Sequence, residues 1–164
     1  MTPHLIYVLD ANVFIEAAKR YYAFDIVPDF WDKLIALAED GWIMSIDRVK
    51  AELIRADLEA WANGNFRRYF ASTSDQDVID AYRDLMAWSQ AQSQYTDGAK
   101  AEFASVPDGW LIAYALSKGC TVVTHEQPAP NSKRKIKMPD ACKAHNVQYV
   151  DTFQMLRNLS IKLC

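Results

Sequence analysis

The sequence is short of the residues that mark disordered, fibrous and disulfide-rich proteins. Its 164 residues include 5 glycines and 6 prolines, which argues against disorder, a collagen helix or a repeat array. The 3 cysteines form no Cys-x-x-Cys pair, and their odd number would leave one thiol unpaired in any disulfide framework. We therefore expect reduced thiols and a cytoplasmic protein.

Long apolar runs are missing as well. The first apolar stretch reaches Asp10 too early to form the apolar region of a signal peptide, and no later run is long enough to span a bilayer. These absences predict a soluble protein that is neither exported nor bound to a membrane.

The chain also lacks an excess of positive charge. Its formal net charge is -3 at pH 7, so the molecule as a whole does not attract nucleic acid. Any nucleic-acid contact must be local, although solvated surface charge is the simpler explanation of each basic stretch taken alone. The two stretches are Lys133, Arg134, Lys135 and Lys137 in a predicted loop, and Arg67 and Arg68 beside Phe66, Tyr69 and Phe70.

What the chain does contain is an alternation of strand and helix patterns. Its length and 51% hydrophobic content fit one globular domain, which we predict to cover residues 1–164. Alternating strands and helices predict an α/β fold with three α/β/α layers and a central parallel sheet of four or five strands. The predicted strands are residues 5–9, 42–46, 120–123 and 147–150, and the predicted helices are 13–20, 30–38, 47–61, 78–88, 110–116, 139–145 and 151–158.

Four acidic residues stand where this fold would bring them together. Asp10 and Glu126 follow predicted strands, Glu52 lies within the predicted helix 47–61, and Asp108 precedes a helix. Ligands of open α/β sheets bind at the carboxyl edge, beside the point where the strand order reverses. Clustered carboxylates suit Mg²⁺ or Mn²⁺, which prefer hard oxygen ligands.

Each acid also has a simpler structural explanation. Asp10 and Asp108 could cap helices, Glu52 could be a solvated helix charge, and Glu126 could be neutralised by nearby lysines. Two enzyme classes with related sheets fit less well: Asn12 breaks the D-x-D signature of haloacid dehalogenase-like phosphotransferases, and no G-x-G-x-x-G supports dinucleotide binding.

Four segments in order resemble the successive motifs of PIN domains, and together they cover nearly the whole chain. They are VLDANVFI (residues 8–15), RVKAEL (48–53), PDGWLIAYA (107–115) and VVTHE (122–126). The resemblance implies a PIN-like fold and a metal-dependent ribonuclease, most prominently a VapC-like toxin of a toxin–antitoxin pair. It matches Asp10, Glu52, Asp108 and Glu126 to the catalytic, metal-binding acids, and Asn12 and Thr124 to polar helpers.

The chain departs from that family pattern after the last motif. Pro128 stands where a second acid often follows, which leaves Asp140 as a substitute. The long loop of residues 127–138 is similar to a less-characterised PIN-like branch. Its basic residues would follow the RNA backbone, with Trp110 or Phe66 as stacking candidates. A cognate antitoxin and a homodimer are further expectations from the resemblance, and the alternative is a PIN-fold module that binds RNA or protein without cutting.

Overall fold

A five-stranded parallel sheet forms the centre of the computed structural model, which describes residues 6–163. Its order is β3-β2-β1-β4-β5, and every neighbouring pair is parallel. The predicted fold class is therefore confirmed. The strands are β1 (Tyr7–Leu9), β2 (Ile43–Ile46), β3 (Phe70–Ala71), β4 (Thr121–Val123) and β5 (Tyr149–Val150).

Helices cover both faces of the sheet and give the predicted three layers. In chain order they are α1 (Ala11–Glu16), α2 (Pro28–Glu39), α3 (Asp47–Lys50), α4 (Ala56–Gly64), α5 (Gln76–Ala91), α6 (Asp97–Ser105), α7 (Asp108–Lys118), α8 (Met138–Ala144) and α9 (Thr152–Asn158). A π-helical turn, Ala17–Tyr21, extends α1, and a 3₁₀ turn, Arg67–Tyr69, precedes β3. Within residues 6–163 no helix is long and apolar enough to cross a membrane.

Two helical predictions need correction. The predicted helix 47–61 is two helices, because α3 ends at Lys50 and α4 begins only at Ala56. Helix α6 was not predicted at all. Its N-cap residue is Thr96, whose hydroxyl accepts a hydrogen bond from the Ala99 N–H at 3.1 Å. The segment between α3 and α4 carries Glu52, so this acid lies in a turn and not on a helix.

The central strands are short and buried along their whole length. Every residue of β1 and β4 is buried, as expected for parallel strands covered on both faces. An aromatic cluster fills one side of the core, with Phe14 5.7 Å from Phe66 and Trp61 4.9 Å from Trp31 between ring centroids. This packing holds α1, α2 and α4 together on that side of the core.

The reversal of strand order lies between β1 and β4. From β1 the chain proceeds to β2 on one side, whereas β4 and β5 add to the other side. Leu9 pairs with Val123 at the ends of these two strands, and the Asp10 N–H donates to the Val123 carbonyl at 3.0 Å. The residues that follow β1 and β4 therefore emerge side by side, as in other open α/β sheets.

Candidate functional site

A chain of hydrogen bonds connects two of the four acids at the strand ends. The buried Thr124 hydroxyl donates to Asp10 Oδ2 at 3.2 Å and accepts from the Glu126 backbone N–H at 3.1 Å. Asp10 itself is 5% exposed and does not use its side chain to cap α1. Asp10 is the N-cap residue of α1 by position, but the absence of a side-chain capping bond means that capping alone does not account for this buried carboxylate.

Glu126 is held from its other side by the basic loop. Its Oε2 accepts the Met138 N–H at 2.8 Å, and its Oε1 lies 3.6 Å from the Lys135 ammonium. Lys135 also reaches Glu102 Oε1 at 3.8 Å. The loop after β4 therefore returns to the acidic cluster and supplies it with a cation.

Asp108 is the first residue of α7 and lies half-buried next to the other acids. Burial and the neighbouring Glu126 charge raise the pKa of Asp108 to about 7, Lys135 opposes this, and Glu52 adds to it. Pro107, not Asp108, is the N-cap residue of this helix. The N-cap explanation of Asp108 is therefore wrong.

Asp10 is the most perturbed acid of the group. Burial, together with the charges of Asp108 and Glu126, raises the pKa of Asp10 to about 8, and the Thr124 hydrogen bond works in the opposite direction. A carboxyl group that is both desolvated and surrounded by like charges is costly to ionise unless a cation compensates. Such perturbed groups are typical of functional sites.

Glu52 lies at the edge of the cluster. It is exposed, burial raises its pKa, and its charge acts on Asp108. The sequence motif thus brings Glu52 to the neighbourhood of Asp108, although by way of a turn instead of the predicted helix.

The donor set fits a hard divalent cation, but the side chains have not converged on one point. Carboxylate oxygens are the ligands that Mg²⁺ and Mn²⁺ prefer. In the part of the chain that the structure describes, no group of three or more His, Cys, Asp or Glu side chains is close enough to hold a metal ion. Metal binding would therefore require the acids to approach one another, at the cost of breaking contacts such as that between Glu126 and Lys135.

The remaining predicted site residues have the following places. Asn12 is exposed in the first turn of α1. Asp140 accepts the Ala129 N–H at 2.8 Å and so holds the loop, and its charge also acts on Tyr95. Lys133 and Arg134 are exposed, whereas Lys137 is the half-buried N-cap residue of α8. Their RNA-binding role stays a prediction.

The contacts of the stacking candidate Trp110 with Arg48 and Tyr82 were not predicted from the sequence. The Arg48 guanidinium lies 4.0 Å from the ring centroid of Trp110, and Trp110 stacks on Tyr82 at 3.7 Å. Arg48 lies in the same sequence motif as Glu52, and Trp110 lies in the same motif as Asp108. This was the signal in the sequence that could have pointed to the pair. Phe66, the other stacking candidate, is fully buried in the core, so its assignment is corrected.

A cavity lies beside the turn that carries Glu52, apart from the acidic cluster. Its volume is about 480 Å³, and its lining within residues 6–163 contains none of the four predicted acids. The cavity is lined by Asp47, Lys50, Ala51, Leu53, Ile54, Glu59, Ala62, Asn63, Arg67 and Phe70. We assign it no role in the chemistry.

Comparison with known proteins agrees with the fold. A family model described as a domain of unknown function, DUF4411, matches residues 7–163. The chain is similar to a chain in the crystal structure of VapBC2 from Rickettsia felis, which is bound to a DNA fragment from the VapBC2 promoter. The identity is 15%, the TM-score is 0.57, and the match covers 90% of this chain and 98% of that one.

A second solved structure shows the same architecture. FitAcB from Neisseria gonorrhoeae matches with 18% identity, a TM-score of 0.52, and coverage of 88% of this chain and 96% of the other. No curated protein sequence matches. The PIN-like fold implied by the motifs is thus confirmed, while identities this low carry no further assignment.

Proposed function

The chain belongs to the DUF4411 family, and we propose that it is a divalent-metal-dependent ribonuclease that hydrolyses RNA phosphodiester bonds. One observation carries the proposal: Asp10 is buried at the strand-order reversal, where burial and the charges of Asp108 and Glu126 raise its pKa to about 8. Even with Lys135 beside Glu126, the raised pKa values of Asp10 and Asp108 show that this site has too little positive charge for its acids. The PIN-like fold of VapBC2 and FitAcB supports the same class of protein.

Asp10, Asp108, Glu126 and Glu52 would hold Mg²⁺ or Mn²⁺ in this proposal. When bound, such a cation would lower the pKa of a water molecule and neutralise charge on the phosphate. Thr124 keeps Asp10 in place through its hydroxyl and fixes the backbone of Glu126. The water oxygen joins phosphorus as the bond to one ester oxygen breaks, and that oxygen takes up a proton.

Two features of the basic loop bear on RNA binding. Lys133 and Arg134 are exposed and available to phosphate oxygens. Lys135, by contrast, is engaged with Glu126 and Glu102 at distances of 3.6 and 3.8 Å. We therefore propose that Lys133 and Arg134 contact the RNA backbone first, and that Lys135 does so once its acids have other partners.

The test is a cleavage assay on purified protein. We expect labelled single-stranded RNA to be cut in Mn²⁺ or Mg²⁺, and the cutting to stop in EDTA. Asp10→Asn should remove at least about 100-fold of the rate, because it replaces the most buried acid of the cluster. Arg83→Ala, an exposed substitution on α5, should leave the rate unchanged.

A non-catalytic module that binds RNA or protein is the second candidate. The observation that favours it is the absence, across residues 6–163, of three acidic or imidazole side chains arranged around one metal position. Metal binding without cleavage of several different RNAs would support this module over the ribonuclease.

The same resemblance extends to partners. We propose that the protein is cytoplasmic, is the toxin of a toxin–antitoxin pair, and forms a homodimer, in line with its similarity in fold to VapBC2 and FitAcB. An antitoxin that blocks the cluster would offer an Arg or Lys side chain to the carboxylates. Co-expression with a small protein encoded nearby should yield a complex in which RNA cleavage is inhibited.

A further inference from the structure

A three-layer stack of side chains stands next to the acidic cluster. The rings of Tyr82 and Trp110 are 3.7 Å apart with an interplanar angle of 4°, and the Arg48 guanidinium carbon is 4.0 Å from the Trp110 centroid. Two groups cannot share one ring face at these distances, so Arg48 and Tyr82 lie on opposite faces of Trp110. The indole is thereby enclosed, and the guanidinium forms the outer layer.

The position of Arg48 is fixed by a second set of contacts. Its Nε–H donates to the Thr73 hydroxyl at 3.0 Å, and this buried hydroxyl donates to Asp47 Oδ1 at 2.9 Å. Within residues 6–163 Arg48 forms no ion pair with a carboxylate. Its terminal N–H groups and its outer face therefore remain available to a ligand.

Arg48 and Trp110 border a cavity of about 290 Å³ that reaches Glu52. Most of its remaining wall is apolar or small, including Ala51, Val106 and Pro107. A planar heterocycle fits such a wall, since it has apolar faces together with donors and acceptors on its edge. A phosphate fits less well, because its charge would meet the carboxylate of Glu52.

We propose that this cavity binds a nucleobase of the RNA close to the scissile phosphate, with the Arg48 guanidinium as its stacking surface. The assignment rests on the proposed ribonuclease function and adds a substrate-binding residue to it. A base stacked on Arg48 presents the N–H donors of its edge to Glu52. The stack behind Arg48 holds the guanidinium in position before RNA arrives, which lowers the entropy lost on binding.

Binding without cleavage tests the assignment. The parent is full-length protein carrying Asp108→Asn, in EDTA, titrated with a fluorescent single-stranded RNA and with an abasic oligomer of equal length and charge. We expect Arg48→Ala and Arg48→Lys each to weaken RNA binding about tenfold, because lysine keeps the charge without the stacking plane. Binding of the abasic oligomer should hardly change, and Arg83→Ala is the matched control for loss of an exposed arginine.

The outcomes separate this assignment from the function on which it rests. If the wild-type protein cuts RNA but both Arg48 variants bind like the parent, the nucleobase site is wrong and the ribonuclease stands. If Arg48→Lys restores binding, or if Arg48→Ala lowers the salt dependence of binding by about one counterion, then Arg48 contacts phosphate and the proposal is overturned. If wild-type protein neither binds nor cuts RNA, both proposals fail.

Discussion

The hydroxyl of Thr124 does two things at once in the acidic cluster. It donates to Asp10 Oδ2 and accepts from the Glu126 N–H, at 3.2 and 3.1 Å, and it is buried. A side chain that both donates and accepts can connect a carboxylate to a backbone amide, which an apolar side chain of the same size cannot do. The position of Glu126 relative to Asp10 therefore depends on one oxygen atom.

Replacement of Thr124 by valine should expose this dependence. Thr124→Val removes both hydrogen bonds while keeping the shape, so the free energy of unfolding should fall by about 1–3 kcal/mol, and RNA cleavage should fall with it. Thr124→Ser keeps the hydroxyl and should retain most of the activity. Urea denaturation and the cleavage assay measure the two effects. Equal activity losses in the Val and Ser variants would show that the hydroxyl is not what matters.

Helices α5 and α7 pack against each other at a glycine. Gly109 is buried at the start of α7, and a Cβ placed on it would lie 2.9 Å from Met86 Cε and 3.1 Å from Tyr82 Cε2. The methionine methyl can move aside, but Tyr82 is stacked on Trp110 and has little freedom. The glycine thus lets α7 approach α5 closely enough to bring Asp108 to the sheet edge.

Gly109→Ala should therefore destabilise the protein. We expect the free energy of unfolding to fall by about 1–3 kcal/mol, as in other overpacked cores. Gly64→Ala is the matched control, because no atom lies within 4 Å of a Cβ at the end of α4. That control should be neutral or slightly stabilising, as alanine favours helix more than glycine. Chemical denaturation of both variants checks the expectation, and equal stability of the two would contradict it.

Most helices and strands could be predicted, because the apolar residues that they bury follow recognisable patterns in the sequence. Strands β1 and β4 are buried throughout, and the run of apolar residues in the sequence ends where each strand ends, which placed Asp10 and Glu126 correctly after these strands. The break between α3 and α4 could not be predicted, because Ile54 continues the helical spacing of apolar residues in this segment although it is 81% exposed. Strand β3 has two residues, too few for any periodic pattern.

Contacts between residues that are far apart in the sequence could not be predicted, because local sequence patterns do not show how the elements pack. Arg48, Tyr82 and Trp110 come from α3, α5 and α7, and their stacking depends on how these helices pack. Similarly, nothing in the basic run of residues 133–137 distinguished Lys135, which pairs with Glu126, from its exposed neighbours. The sequence motifs predicted which acids lie near one another, whereas the residues that line the neighbouring cavity could be identified only from the packed structure.

At the scale of the whole molecule, the acidic cluster makes stability depend on pH and metal. The folded protein holds Asp10 with a pKa of about 8 and Asp108 with a pKa of about 7, well above the ordinary value of 3.8. Below that value both folded and unfolded chains bind these protons, so there is no penalty. As pH rises from about 4 to about 8, the unfolded chain releases them more readily, and the contribution of these groups increasingly opposes folding.

Asp10→Asn should remove much of this penalty in metal-free protein. Each pH unit of the raised interval costs about 1.4 kcal/mol for an isolated group, which sets an upper limit of about 6 kcal/mol. Because the charges of Asp108 and Glu126 share in the shift, we expect the variant to exceed wild type in stability by about 1–4 kcal/mol near pH 8. Near pH 5 the stabilities of the two proteins should differ by about 1 kcal/mol or less, since this pH lies only a little above the ordinary pKa of an aspartate. Urea denaturation in EDTA at both pH values measures the difference, and a difference that does not grow with pH would contradict the expectation.

Divalent metal should reduce or reverse the stability advantage of Asp10→Asn. A cation binds the ionised carboxylates of the folded chain, so Mn²⁺ at about 100 times its dissociation constant should stabilise wild type by about 2.7 kcal/mol at pH 8, and less at pH 5 where protons compete. Asp10→Asn should gain far less, because it has lost a ligand. Thermal melts with Mn²⁺ and with EDTA test this without any RNA, so the result is independent of substrate choice. If Mn²⁺ raised the melting temperature of both proteins equally, the cation would bind elsewhere and the acidic cluster would not be the metal site.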